Sequence, residues 1–299
     1  MPYLQNGLPA LGQWRRCLII GALMVGTLLA LSGCTALRLS YNNAGTLAYW
    51  WLDDYVDFDR AQSQRVRADL ADLARWHRRE ELPLLAELLE NAQALAQTQP
   101  AASQICTLYE RSNLRMQSLV AQALPGAAVL ATTLQASQLK TLAAKYEKTN
   151  RKWRDEWLTA DSDSLERRTQ KIRERLEDFY GPLSPGQLRQ LQQRMEASGL
   201  DEPLHYRELL RRQQQTLRTL DGLRGASVNT AQAALSQLMF DYFHSPEPAY
   251  RAYRDRSVAQ TCEAMAQLHA SATPQQRNNL LRKLQAYGQD VQALMAQSP

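Results

Sequence analysis

Isoleucine and valine are scarce in this chain, and phenylalanine occurs only four times in 299 residues. Strands draw on β-branched and aromatic side chains, so a sheet has little to be built from, and no hairpin pattern appears. Charge of one sign is missing as well: 35 Lys and Arg stand against 30 Asp and Glu, a formal +5. That near balance argues against nucleic acid as a partner, despite a pI near 9. Catalytic signatures are absent. The four histidines, His77, His205, His244 and His269, are scattered, with no His-Glu-x-x-His spacing. No Gly-x-Ser-x-Gly elbow and no phosphate-binding loop occurs. Asp53, Asp54, Asp57 and Asp59 crowd together but lack the spacing and glycine of a calcium loop. The expectation is no cofactor, no metal, no evident small-molecule substrate and no enzymatic activity.

What is present begins with an N-terminus in three parts. Arg15 and Arg16 precede an uncharged run from Cys17 to Leu31, and Ser32, Gly33 and Cys34 close it. A positive region, an apolar core and small residues before a cleavage point form a secretory signal. A membrane span is the competing reading, but it needs about 20 apolar residues to cross roughly 30 Å of hydrocarbon, and this run is shorter. Leu31-Ser32-Gly33-Cys34 resembles the bacterial lipobox, in which the cysteine is diacylated and becomes the new N-terminus. The resemblance implies cleavage after residue 33 and a lipid on Cys34 that tethers the chain to a membrane. Thr35 after that cysteine resembles the pattern that sorts such proteins to the periplasmic face of the outer membrane, with the inner membrane as alternative. Arg15-Arg16 also weakly resembles a twin-arginine signal. Without residues 1–33 the chain keeps 33 basic against 30 acidic residues, a formal +3.

Cys17 leaves with the signal and Cys34 carries lipid, so Cys106 and Cys262 remain. An even pair in an oxidising compartment reads as one disulfide, with two buried thiols as the alternative.

The remainder is rich in Ala, Leu, Gln, Arg and Glu, all good helix formers. Val228, Ala231, Leu235, Leu238 and Tyr242 step by three and four, as do Leu280, Leu284, Tyr287, Val291 and Leu294. Each set lays one apolar stripe along a helix that must be buried against others. The fold expected is all-α, a bundle of roughly eight to ten helices, divided as signal (1–33), tether and first short helix (34–58) and one helical domain (59–299). Pro83 should kink or divide a long helix that starts near Asp59. Pro125-Gly126 and Gly181-Pro182 should mark connections.

One short pattern recurs: Phe58-Asp59-Arg60-Ala61-Gln62, Leu134-Gln135-Ala136-Ser137-Gln138, Leu183-Ser184-Pro185-Gly186-Gln187 and Ala272-Thr273-Pro274-Gln275-Gln276. Physically these are capping boxes, in which a cap oxygen accepts from the N3 amide and the N3 glutamine reaches back. They also resemble the Leu-Thr-x-x-Gln motif of periplasmic helical chaperones and stress sensors, which would make Gln187 an interaction candidate. The densest polar-aromatic cluster is Trp76-His77-Arg78-Arg79-Glu80-Glu81. Its arginines could grip an anion or a partner's carboxylates, or it could pack Trp76 inward and pair its charges locally. Trp50 and Trp51 could rest at a membrane interface or enter the bundle, and the second reading is preferred. The alternating charges from Arg167 to Asp178 read as a solvated face. Tyr41-Asn42-Asn43-Ala44 through Trp50–Tyr55, Trp76–Pro83 and Asp155–Leu158 together resemble an uncharacterised family of Gram-negative lipoproteins. The expected function is an envelope interaction module with a protein partner, and the alternative is a holdase chaperone or stress sensor.

Overall fold

The structure, a computed structural model, describes residues 32–158 and 163–297. The segment through Leu31, read from the sequence as a signal, lies outside those residues. Ser32, Gly33 and Cys34 fall in the first described helix, whose early side chains are not described. Two compact units divide the chain, 1–43 and 44–299. In the first, α1 runs Ser32–Asn42.

The second unit is all-helical among its described residues. α2 (Ala44–Val56) and α3 (Arg60–Trp76) lead into a π turn (His77–Glu81) and α4 (Leu82–Ala96). α5 (Ala102–Thr133), α6 (Ala136–Trp157), α7 (Asp163–Tyr180) and α8 (Pro185–Ala197) follow. α9 (Glu202–Gly222), α10 (Val228–Phe243), α11 (Pro248–Ala270) and α12 (Pro274–Met295) complete it. α12 lies along α4, α10 and α11 pack on α5, and α2 bridges α3 and α6.

Asp59 caps α3, so the long helix starts where its capping box lies in the sequence. Asp57, at the end of α2, takes φ 60°, a left-handed conformation that aspartate tolerates better than most residues. Pro83 sits in the first turn of α4, directly after the π turn, where the Leu82 amide donates five residues back to His77. A proline inside an unbroken α-helix would meet the carbonyl four residues earlier. The wider π turn relieves that meeting without ending the helix.

Pro125-Gly126 does not mark a connection: α5 runs through it for 32 residues. Packing explains the difference. Ala128 and Ala131 on α5 are buried against Ala231, Leu235 and Leu238 of α10 and against Leu223. Small residues bring the two backbones close, and this burial outweighs one missing amide. Gly126 serves the same end, since a Cβ there would lie 2.8 Å from an Asp69 carboxylate oxygen on α3. The Pro-Gly pair is a helix crossing.

Candidate functional site

The four capping boxes meet in two pairs. Each glutamine carbonyl accepts from its own cap amide: Gln62 from Asp59, Gln138 from Gln135, Gln187 from Ser184 and Gln276 from Thr273, at 2.9–3.1 Å. The Gln62 and Gln138 amides then bond each other reciprocally, at 3.2 and 2.6 Å. Gln187 and Gln276 do the same at 3.0 and 2.9 Å. Each amide also donates to the carbonyl two residues before the partner's cap: Thr133, Asp57, Ser271 and Pro182. The result is two local two-fold clamps, each joining the starts of two helices, α3 with α6 and α8 with α12. All four glutamines are buried. The Gln187 amide is therefore spent inside the fold.

The cluster around residue 77 occupies the π turn. Trp76 is half-buried and meets the His77 ring edge-on, with centroids 6.4 Å apart. Burial holds the His77 pKa below its ordinary value, while Glu81 pulls the other way. Arg79 is exposed and pairs with its neighbour Glu80 at 2.6 Å. Arg78 is half-buried and already engaged. Glu81 is almost wholly buried, accepts from Ser118 at 2.7 Å, and has Arg115 at 3.7 Å. One Glu81 oxygen has no hydrogen-bond partner. The π turn thus points a carboxylate inward and leaves only the Arg79-Glu80 edge in water.

Cys106 and Cys262 form a disulfide, Cα–Cα 5.5 Å, that ties α5 to α11. Beside it lies an open cavity of about 580 Å³, which Cys262 helps to line. Its walls are Leu88 and Leu89 from α4, Ile105 and Leu108 from α5, and Tyr253 and Val258 from α11. Tyr109 stands exposed at the rim. The lining is mostly apolar, with Ser112, Arg254, Ser257 and Thr261 among it, and runs about one helical turn along α4 and about two along α5 and α11. The sequence pairs the two cysteines but does not disclose the groove, whose main walls come from three distant stretches of chain.

Two further polar knots stabilise the bundle. Glu208, buried, accepts from Arg211 at 2.7 and 2.9 Å and from Arg212 at 2.7 Å. Burial alone would raise its pKa, but those arginines and Ser245 hold it at about 2. His269, also buried, spans Thr98 O at 3.0 Å and Tyr180 Oη at 3.1 Å. A carbonyl only accepts, so Nε2 carries the proton and Nδ1 receives the tyrosine hydroxyl. Burial lowers the His269 pKa and lifts that of Tyr180 to about 12.

His77, His205 and His269 all have pKa values lowered by burial. The unfolded chain, titrating near 6.5, then binds protons more readily than the folded one. Their contribution is intact above that value and is lost as pH falls below it. Melting temperature should drop between pH 7 and pH 5, and His269→Gln should shrink the drop. A flat profile over this range would contradict the assignment.

A sequence model described as a family of unknown function, DUF6279, matches residues 54–251, about two thirds of the chain. The chain belongs to that family. The match takes in the Gln62–Gln138 clamp, Cys106 and the whole π turn, while Cys262 and Gln276 lie beyond it. No curated protein and no solved structure matches the chain.

Proposed function

We propose that this member of the DUF6279 family is a lipid-anchored protein of the cell envelope whose bundle receives one protein partner in the groove beside Cys262. The observation that carries the reading is that groove: an open apolar cleft of about 580 Å³, walled by three helices and braced by a disulfide. Its mostly apolar lining from three helices suits a partner helix, which would lay two or three apolar side chains along Leu88, Ile105 and Val258. A bounded cleft of this size favours one defined partner, whereas a holdase needs a broad adaptable surface. The lipobox supplies the address. With Gln187 spent in its clamp, the groove replaces the capping boxes as the surface offered to others.

In-cell photo-crosslinking from position 109, at the groove rim, tests this. One discrete adduct is expected, and it should vanish when Val258→Glu places a charge in the groove. A smear of many unfolded envelope proteins would favour the chaperone reading. An adduct that survives Val258→Glu, or no adduct at all, would overturn the groove as the docking site.

A further inference from the structure

α2 divides into two faces. Tyr49 turns inward, bonding Ser63 at 3.0 Å and lying under the Arg67 guanidinium at 3.5 Å. Leu47, Trp50 and Trp51 turn outward and are 50%, 59% and 60% exposed. They sit three and four residues apart, so they form one stripe. Trp51 packs at a tilt against Tyr55, with centroids 4.9 Å apart, and the Tyr55 ring in turn meets Tyr146 of α6. The expectation that both tryptophans enter the bundle is corrected here: Tyr49 is the aromatic of α2 that is buried. Two exposed indoles and a leucine on one face are costly in water, and among the described residues nothing covers them.

The neighbouring helix offers the opposite chemistry. Lys145 of α6 pairs with Asp54 at the end of α2. Lys148 and Lys152 continue the same face of α6, exposed. An aromatic stripe beside a row of lysines is the composition of an interfacial segment, indoles at headgroup level and cations on anionic lipid. Position along the chain agrees. Leu47 lies thirteen positions after Cys34, a reach of at most roughly 45 Å fully extended.

We propose that the Leu47-Trp50-Trp51 face of α2 lies on the bilayer surface, at the headgroup–acyl boundary of an anionic phospholipid membrane. The inference rests on the lipid-anchor reading for the protein's address, though the face stands on its own geometry. In the bound state the indole rings replace exposure to water by contact with acyl chains, and the lysine row sits against phosphates.

The test uses the mature chain, purified with its native N-terminus and reconstituted into phosphatidylethanolamine–phosphatidylglycerol vesicles bearing brominated acyl chains. Tryptophan emission should be quenched, and W50S/W51S should reduce that quenching at least about twofold, because the remaining indoles sit in the bundle. The exposed positions predict an unchanged melting curve for this variant, so the loss is not one of folding. The mass of the N-terminal peptide, read in the same sample, reports acylation separately. An acylated chain whose quenching is absent or unaffected by the substitutions overturns the α2 face and leaves the anchor standing. An unacylated chain still quenched through Trp50 and Trp51 overturns the anchor and keeps the face. An unacylated, unquenched chain overturns both.

Discussion

Replacing both bridged cysteines, Cys106→Ala with Cys262→Ala, should lower the stability of the domain by on the order of 4–5 kcal/mol. The bridge spans 156 residues of sequence. Closing so long a loop removes many conformations from the unfolded chain, and the chain-entropy account scales with the logarithm of that length. Domains of this size are stable by roughly 5–15 kcal/mol, so the loss would consume a large share of the total. Urea unfolding measures it: the midpoint should fall steeply, and the slope should rise somewhat because the uncrosslinked unfolded chain exposes more surface. The consequence reaches beyond stability. α5 and α11 are two of the three groove walls, and Cys262 is itself part of the lining. A reduced protein that still melts cooperatively at low temperature should therefore lose the crosslink from position 109. Two free thiols in the protein purified without reductant would sink the prediction outright.

The parts of this molecule that could be read from the chain are those whose physics is local. A capping box needs an oxygen and a glutamine three residues apart, so Asp59, Ser184 and Thr273 were visible as helix starts before any packing was known. The all-α fold follows from apolar stripes at helical spacing. The disulfide was legible for a different reason: if Cys17 is assigned to a signal and Cys34 to a lipid, as their local motifs suggest, only one pairing is left. Long-range facts were hidden. Nothing in the sequence says that Gln62 finds Gln138 across 76 residues, or that Gln187 finds Gln276 across 89. Pro125-Gly126 misled because a dipeptide reports turn propensity, whereas the burial of Ala128 and Ala131 decides whether the helix continues. Trp50 and Trp51 misled because the solvated acids that follow them, Asp53, Asp54, Asp57 and Asp59, do not decide which face of α2 turns inward. The alternative stripe of Tyr49, Leu52 and Val56, at three- and four-residue steps, was equally present in the sequence and is the one that turns toward the bundle.

Gln187→Ala and Gln276→Ala should each cost about 2–3 kcal/mol, and together they should cost less than the sum, with a coupling on the order of 1–2 kcal/mol. The reason lies in what each side chain serves. Gln187 accepts from the Ser184 amide, exchanges bonds with Gln276, and donates to Ser271 O. Deleting it leaves the Gln276 amide in a buried site with part of its hydrogen bonding unmet, so the first deletion is charged with both losses. The second then removes a group that is already poorly satisfied. A double-mutant cycle by urea unfolding separates this from ordinary capping. Additive effects would mean two independent helix caps that happen to lie close, and the clamp would have no energetic reality. Gln104 provides the control. It reaches back to the Ala101 amide at 2.9 Å, as in the other boxes, but from an exposed position. Gln104→Ala should fall within about 0.5 kcal/mol of the parent. A small effect there beside large coupled effects at 187 and 276 would show that the repeated box acts chiefly through its pairing. On that account the four boxes are the fold's way of fastening α3 to α6 and α8 to α12.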